Sequence, residues 1–333
     1  MSATTETVAT PMARPMALLI AAARRNAWTL SLMAILALLF TYTKIIQPSY
    51  GPNGIRGLAV SVLPLAFATV AQTYAVIARG IDLSVGSMMA LTSVVAASAM
   101  DGRGEGFAFV VIIAVLLLGC LLGAINGTLI VLTRVPDIVV TLAMLYVWAG
   151  FALLVLKAPG GGSADWLLDL TRGTLFNQWV PRAGVLLLVI VALIAIPVGR
   201  SRLGLSLYAI GSDPLAAYRS GVSVTRTKIF SYTLTGLFSA LGGLSLTAST
   251  GIGTPVPGPY TLPSVAAVVL GGVSLAGGRG TIAGPIVAVV ILSLIRTDMT
   301  FLNVDTNMAT VLQGVILVGV VMIGSFIQLR RDR

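Results

Sequence analysis

The sequence contains no histidine and only one cysteine, Cys120, in 333 residues. These absences remove the usual transition-metal ligand sets and any internal disulfide, so no metal site is expected. Charge is scarce as well: Asp, Glu, Lys and Arg make up 10% of the chain, and only 11 residues are acidic. With no imidazole and few carboxylates, neither an acid–base pair nor an activated nucleophile can be assembled, which argues against an enzyme. "GGSADW", around Ser163, offers a hydroxyl without a base. No G-x-x-x-x-G-K-[ST] run occurs either, so any nucleotide has to be held by another chain and no cofactor is expected in this one.

What the sequence does have is apolar length. Hydrophobic residues make up 57% of it, and its mean hydropathy is +0.99. A helix crosses the hydrocarbon of a bilayer in about 20 apolar residues, and the uncharged windows here are too long for barrel strands. The expected fold is therefore an all-α membrane protein of about ten transmembrane helices, at 28–46, 57–78, 83–100, 107–133, 138–156, 183–199, 229–250, 262–275, 281–296 and 308–329. Residues 1–27 read as a cytoplasmic tail, 28–329 as the transmembrane domain and 330–333 as a second tail. Two of these spans, 262–275 and 281–296, are short and separated by "GGRGT", a pattern of broken helices that line a cavity or simply turn tightly.

The chain carries 21 Lys and Arg, for a net charge of +10. Such a balance can signal nucleic acid, but membrane topology explains it without that partner. With the N-terminus inside, Lys44, Arg56, Arg103, Lys157, Arg172, Arg182 and Arg296 fall outside, leaving 14 of the 21 on the cytoplasmic side. This bias places both termini in the cytoplasm.

A second break lies at "VIARGIDLSVG". There Gly80 is expected to take the left-handed conformation that ends one helix, Asp82 to cap the next, and Gly86 to belong to the same helix break. Gly277, Gly278 and Gly280 mark the later break. An uncharged pathway suits a neutral solute, read by hydroxyls and amides. Candidate pathway groups are Gln72, Thr73, Tyr74, Asn126, Thr141, Ser245 and Thr247, each of which is alternatively a helix-to-helix hydrogen bond. Gly119, Gly123 and Gly127, at four-residue spacing, read as close helix packing. The cytoplasmic loop 200–228 contains "SDPLAAYRSG", a short helix with Asp213 at the N-cap, Pro214 in its first turn and Gly221 beyond its end. Its seven residues span about 10 Å, too short to stand alone in water. Ala216 and Ala217 are expected to offer a docking face, and Arg219 a charge.

Three motifs in order, "GIDLSVGSMMALTSVVAAS" (80–98), "YAIGSDPLAAYRSGVSVTRTK" (208–228) and "AAVVLGGVSLAGGRGTIAG" (266–284), resemble the membrane permease subunits of bacterial ATP-binding-cassette (ABC) importers for monosaccharides. The resemblance runs from about Gly57 to Gln328. It implies the ABC importer permease fold in the bacterial inner membrane, pairing with a second permease subunit, a cytoplasmic ABC ATPase that binds ATP, and a periplasmic sugar-binding protein. It also identifies 213–221 as the helix that couples to the ATPase. Ala149, Asp137, Gln313 and "RTDM" (Arg296 to Met299) depart from the family pattern. The external loop 157–182 is expected to meet the binding protein. Other readings stay open: an ion-coupled or facilitative carrier, or an ABC permease for branched-chain amino acids or nucleosides.

Overall fold

The computed structural model describes residues 27–305 and scattered positions between 308 and 322. The tails and most of the expected span 308–329 lie outside the described residues. Among the described residues seven helices are long and apolar enough to cross a membrane, and two shorter apolar helices sit between them. In chain order the elements are α1 (Ala27–Ile46), α2 (Pro52–Ile77), α3 (Val85–Met100), α4 (Phe107–Thr133), α5 (Asp137–Val155), α6 (Asp165–Arg172), α7 (Arg182–Arg200), α8 (Arg202–Ser212), α9 (Pro214–Arg219), α10 (Val224–Thr250), α11 (Thr261–Leu270) and α12 (Ala283–Phe301).

Burial sorts these helices. The apolar windows of α2 and α10 are 83% and 78% buried, whereas those of α5 and α7 are only 22% and 17% buried. With lipid as apolar as leucine, an inner helix is one whose small and polar residues give it partners, and an outer helix is one covered with large aliphatics. Leu117, Leu121, Leu154 and Leu193 accordingly face outward, while α10 carries Gly236, Gly242, Gly243 and a series of serines and threonines into the centre.

The α4–α10 crossing shows how close that approach is. A side-chain carbon at Gly123 would collide with the carbonyl of Tyr232, and one at Gly236 with the carbonyl of Gly119. The four-residue glycine spacing therefore serves helix contact, as the sequence indicates.

Sequence boundaries shift in places. α8 and α6 are additional short helices within the loops 200–228 and 157–182, and α12 continues to Phe301, so that "RTDM" lies inside a helix. The hydrophilic residues of α6 conceal it from a hydropathy reading, although its ends carry Asp165 and Arg172 on the sides the helix dipole favours.

Gly123→Val should destabilise the protein by about 2–3 kcal/mol or more, since backbone carbonyls cannot retreat from an added side chain. Thermal unfolding in detergent, followed through the reactivity of Cys120, measures this. Gly150→Val, at a glycine with open space around it, should leave the midpoint unchanged.

Candidate functional site: a cavity and a broken helix

α2 and α10 reach two distinct features at their opposite ends. At one end lies a cavity of about 890 Å³. Its wall comes from the first half of α2 (Gly57 to Leu65), the end of α10 (Leu246, Ser249, Thr250), the segment from Pro257 to Pro263, and α12 from Leu292 to Thr300. Arg56, Arg172 and Arg296 border it together with Asn53, Ser61, Tyr260, Ser293 and Thr297, and no carboxylate does among the described residues. Arg172 is fixed there by donating to Ser249 O through Nε (3.0 Å) and Nη2 (2.7 Å), while Thr171 Oγ1 donates to Ala248 O at 2.6 Å. α6 is thereby fastened to the end of α10. Pro64, inside α2, also faces the cavity, and a helix gives up a backbone hydrogen bond at such a residue.

At the other end the chain leaves α2 at Ile77 and re-enters helix at Val85. A break frees backbone groups that the helix no longer pairs, and here they find partners within the protein. The structure supplies them from several elements. Ser231 Oγ donates to Tyr74 O (2.9 Å), Gly80 N to Ala75 O (2.9 Å), Arg79 N to Val76 O (2.9 Å) and Gly278 N to Ile77 O (2.9 Å). Lys228 Nζ donates to Ala78 O (3.1 Å) and Arg79 O (3.3 Å). Thr141 Oγ1 donates to Ile81 O (3.1 Å), and Thr261 Oγ1 to Leu83 O (3.3 Å). The Gln72 amide pairs with both backbone groups of Asp82, donating to its carbonyl (3.0 Å) and accepting from its amide (3.2 Å).

Two expectations for this break change. Arg79, at φ 59°, takes the left-handed conformation, and Gly80 does not. Gly80 is needed for space instead: a side chain there would strike Asp137 Oδ2, Tyr232 OH and Lys228 Nζ. Asp82 does not cap α3 directly. The N-cap is Ser84, and fully buried Asp82 accepts from Ser84 N (2.8 Å) and Ser84 Oγ (2.6 Å) through Oδ1. Asn126 extends this network, donating to Ser84 Oγ (2.8 Å) and accepting from Trp148 Nε1 (3.2 Å). Gly86 lies in the first turn of α3, its amide donating to Thr261 Oγ1 at 3.2 Å. Gly277, Gly278 and Gly280 all have positive φ, as a tight turn at that place requires.

Charge converges on the break as well. Lys228 Nζ lies 2.6 Å from Asp137 Oδ2, and Tyr232 OH donates to the same oxygen at 2.6 Å. This cluster is hidden in the sequence, because Asp137 and Lys228 both read as loop charges. Lys228, Ser231 and Thr235, three or four residues apart on one face of α10, are the signal that finds it.

None of the seven candidate pathway residues lines the cavity. Gln72, Asn126 and Thr141 hold the break. Thr73 Oγ1 donates to Thr69 O (2.7 Å), Ser245 Oγ donates to Gly242 O (2.7 Å), and Thr247 meets Ser93 at 3.0 Å. Tyr74 stacks on Phe238 with ring centroids 5.6 Å apart.

Beyond α8 comes the short capped helix α9. Asp213 accepts from Leu215 N (2.9 Å) and Ala216 N (3.0 Å), Pro214 opens the helix, and Gly221 follows it at φ 84°. It holds six residues, Pro214–Arg219, where the sequence indicates seven. Ala217 is buried against its own chain and offers no docking face, whereas Leu215 and Tyr218 are 58% and 68% exposed. Ala216 and Arg219 are exposed beside them.

The comparisons with known proteins decide what this arrangement belongs to. The profile of the family described as "Branched-chain amino acid transport system / permease component" matches residues 54–321. The chain belongs to this family. It is 30% identical over 311 residues to the ribose import permease protein of Escherichia coli strain K12, covering 90% of this chain and 94% of that one. It is 34% identical to the fructose import permease protein of Rhizobium meliloti, over 78% of this chain and 74% of the relative. With the autoinducer 2 import system permease protein of Escherichia coli O9:H4 strain HS it shares 28% over 93% and 95%. No solved structure matches the chain. The resemblance carried by the three motifs to ABC monosaccharide importer permeases is thus borne out, and the chain is a multi-pass membrane transport component.

If the passage opens through the cavity, cysteines placed at Ser61 and Thr297 in a Cys120→Ala background should react with a membrane-impermeant thiol reagent. Cysteines at Thr73 and Thr247 should stay protected. Labelling rates in intact vesicles measure the difference, and the reverse order would move the passage to the sequence-derived residues.

Proposed function

We propose that this chain is the permease subunit of an ABC importer for a neutral monosaccharide. It crosses the bacterial inner membrane about ten times with both termini in the cytoplasm and pairs with a second permease subunit. A separate cytoplasmic ATPase binds the ATP, and a periplasmic binding protein delivers the sugar. The observation that carries this reading is α9. Two turns of helix, capped at both ends, with Leu215 and Tyr218 exposed at the end of the bundle away from the cavity, are what a partner's groove requires.

The cavity supports the cargo assignment. Its hydroxyls, its Asn53 amide and its guanidinium groups match a molecule covered in hydroxyls. A zwitterionic amino acid also needs an acceptor for its ammonium group, and no carboxylate borders the cavity among the described residues. In the loop 157–182, Phe176 and Trp179 are exposed, at 104% and 48%, near the fastened α6. They offer the binding protein an exposed aromatic contact.

Leu215→Glu combined with Tyr218→Glu should lower sugar-stimulated ATP hydrolysis by about ten-fold or more in the reconstituted complex, with membrane insertion intact, since truncated or charged anchors remove most of an interface's energy. Unchanged stimulation would remove α9 from the ATPase interface. Accumulation of solute by the purified chain alone in vesicles would replace the importer reading with a carrier.

A further inference from the structure

We propose that Asp137 and Lys228 form a positioning latch that carries movement of the coupling helix α9 to the broken α2–α3 turn, and through α2 and α10 to the cavity; this rests on α9 being the ATPase contact. The chain on either side of α9 closes on that one turn. On the leading side, Gly211 and Ser212, at the end of α8, pack against the turn and the glycine loop beside it. A side chain at Gly211 would run into Ile77 O and Gly278 N, and one at Gly277 into Gly211 O and Arg79. On the trailing side, the three donors of the Lys228 ammonium meet three acceptors: Asp137 Oδ2 at 2.6 Å, Ala78 O at 3.1 Å and Arg79 O at 3.3 Å. Tyr232, one turn further along α10, holds the same carboxylate oxygen at 2.6 Å.

Displacing α9 therefore strains contacts to residues 77–79 from both sides. Arg79 is already in a left-handed conformation that a non-glycine residue keeps only where its surroundings impose it. Two well-packed arrangements of such a turn are easier to reach than a graded series, because packed interiors are bistable. From the turn, α2 and α10 run together, joined by Thr235 Oγ1 donating to Ala71 O at 3.1 Å, and both end at the cavity. An ion pair suits a latch: its net contribution to stability is small, whereas it fixes registry between the elements it joins.

The test uses the full chain assembled with its ATPase and binding protein in proteoliposomes, reading solute moved per ATP hydrolysed at equal amounts of assembled complex. Asp137→Asn and Lys228→Gln should each lower that ratio by about five-fold or more while the ATPase stays bound. Where a single variant leaves a partly buried charge alone and fails to assemble, the double variant Asp137→Asn with Lys228→Gln removes both charges, and it too should be uncoupled. Tyr232→Phe, which deletes one hydrogen bond, should fall between it and the wild type. A wild-type ratio in the double variant overturns the latch. The paired Leu215→Glu and Tyr218→Glu variant separates the two claims. If that variant stays coupled, the α9 reading falls and the latch with it; if it loses the ATPase while the Asp137 and Lys228 variants couple normally, the latch alone falls.

Discussion

Everything in this bundle follows from one requirement: where a helix of a membrane protein is interrupted, the backbone groups it exposes must find partners. The turn between α2 and α3 frees carbonyls from Ala75 onward, and the partners come from α2 itself and from α5, α10, α11 and the Gly278 loop. This explains why polar residues sit so deep in α2 and α10, the two most buried spans. It also explains why the helices approach so closely around them, since a hydroxyl reaches a neighbouring carbonyl only across a short gap.

The same requirement accounts for the glycines. Gly123 and Gly236 let α4 touch α10, which holds Tyr232 where its hydroxyl meets Asp137. Gly80 keeps the space in which Asp137, Tyr232 and Lys228 meet. In water a glycine inside a helix costs about 1 kcal/mol relative to alanine. Here the loss is offset by packing and by hydrogen bonds that no larger residue would leave room for.

What was legible in the sequence follows the same division. Long apolar runs declare themselves locally, so the helices from α1 to α5, α7 and α10 lie within a few residues of their expected positions. The caps of α9 are equally local, because Asp213, Pro214 and Gly221 act on their own backbone. The break was visible as charges and glycines in an apolar stretch, but its geometry was not. Whether Gly80 supplies a conformation or a space depends on Tyr232 and Asp137, which lie 95 positions apart in the chain. Gln72, Asn126 and Thr141 stand out as unusual polar residues, and of the two roles open to each the structure shows the hydrogen bond within the protein. A hydroxyl or amide in a membrane helix has to be satisfied, and the sequence does not say whether the partner is a solute or a carbonyl.

The cavity extends this reasoning to transport. Its Arg56, Arg172 and Arg296 all come from positions assigned to the outer face by the distribution of charge, whereas the broken turn and α9 lie at the far ends of α2 and α10. A helix of 26 or 27 residues is about 40 Å long, enough to connect the two faces of a bilayer. In the importer proposed above the ATP is bound by a partner chain, so its work has to reach the cavity mechanically, and α2 and α10, joined by Thr235 Oγ1 donating to Ala71 O, run together from the turn to the cavity. The polar groups buried around the break hold the backbone there and do not border the cavity.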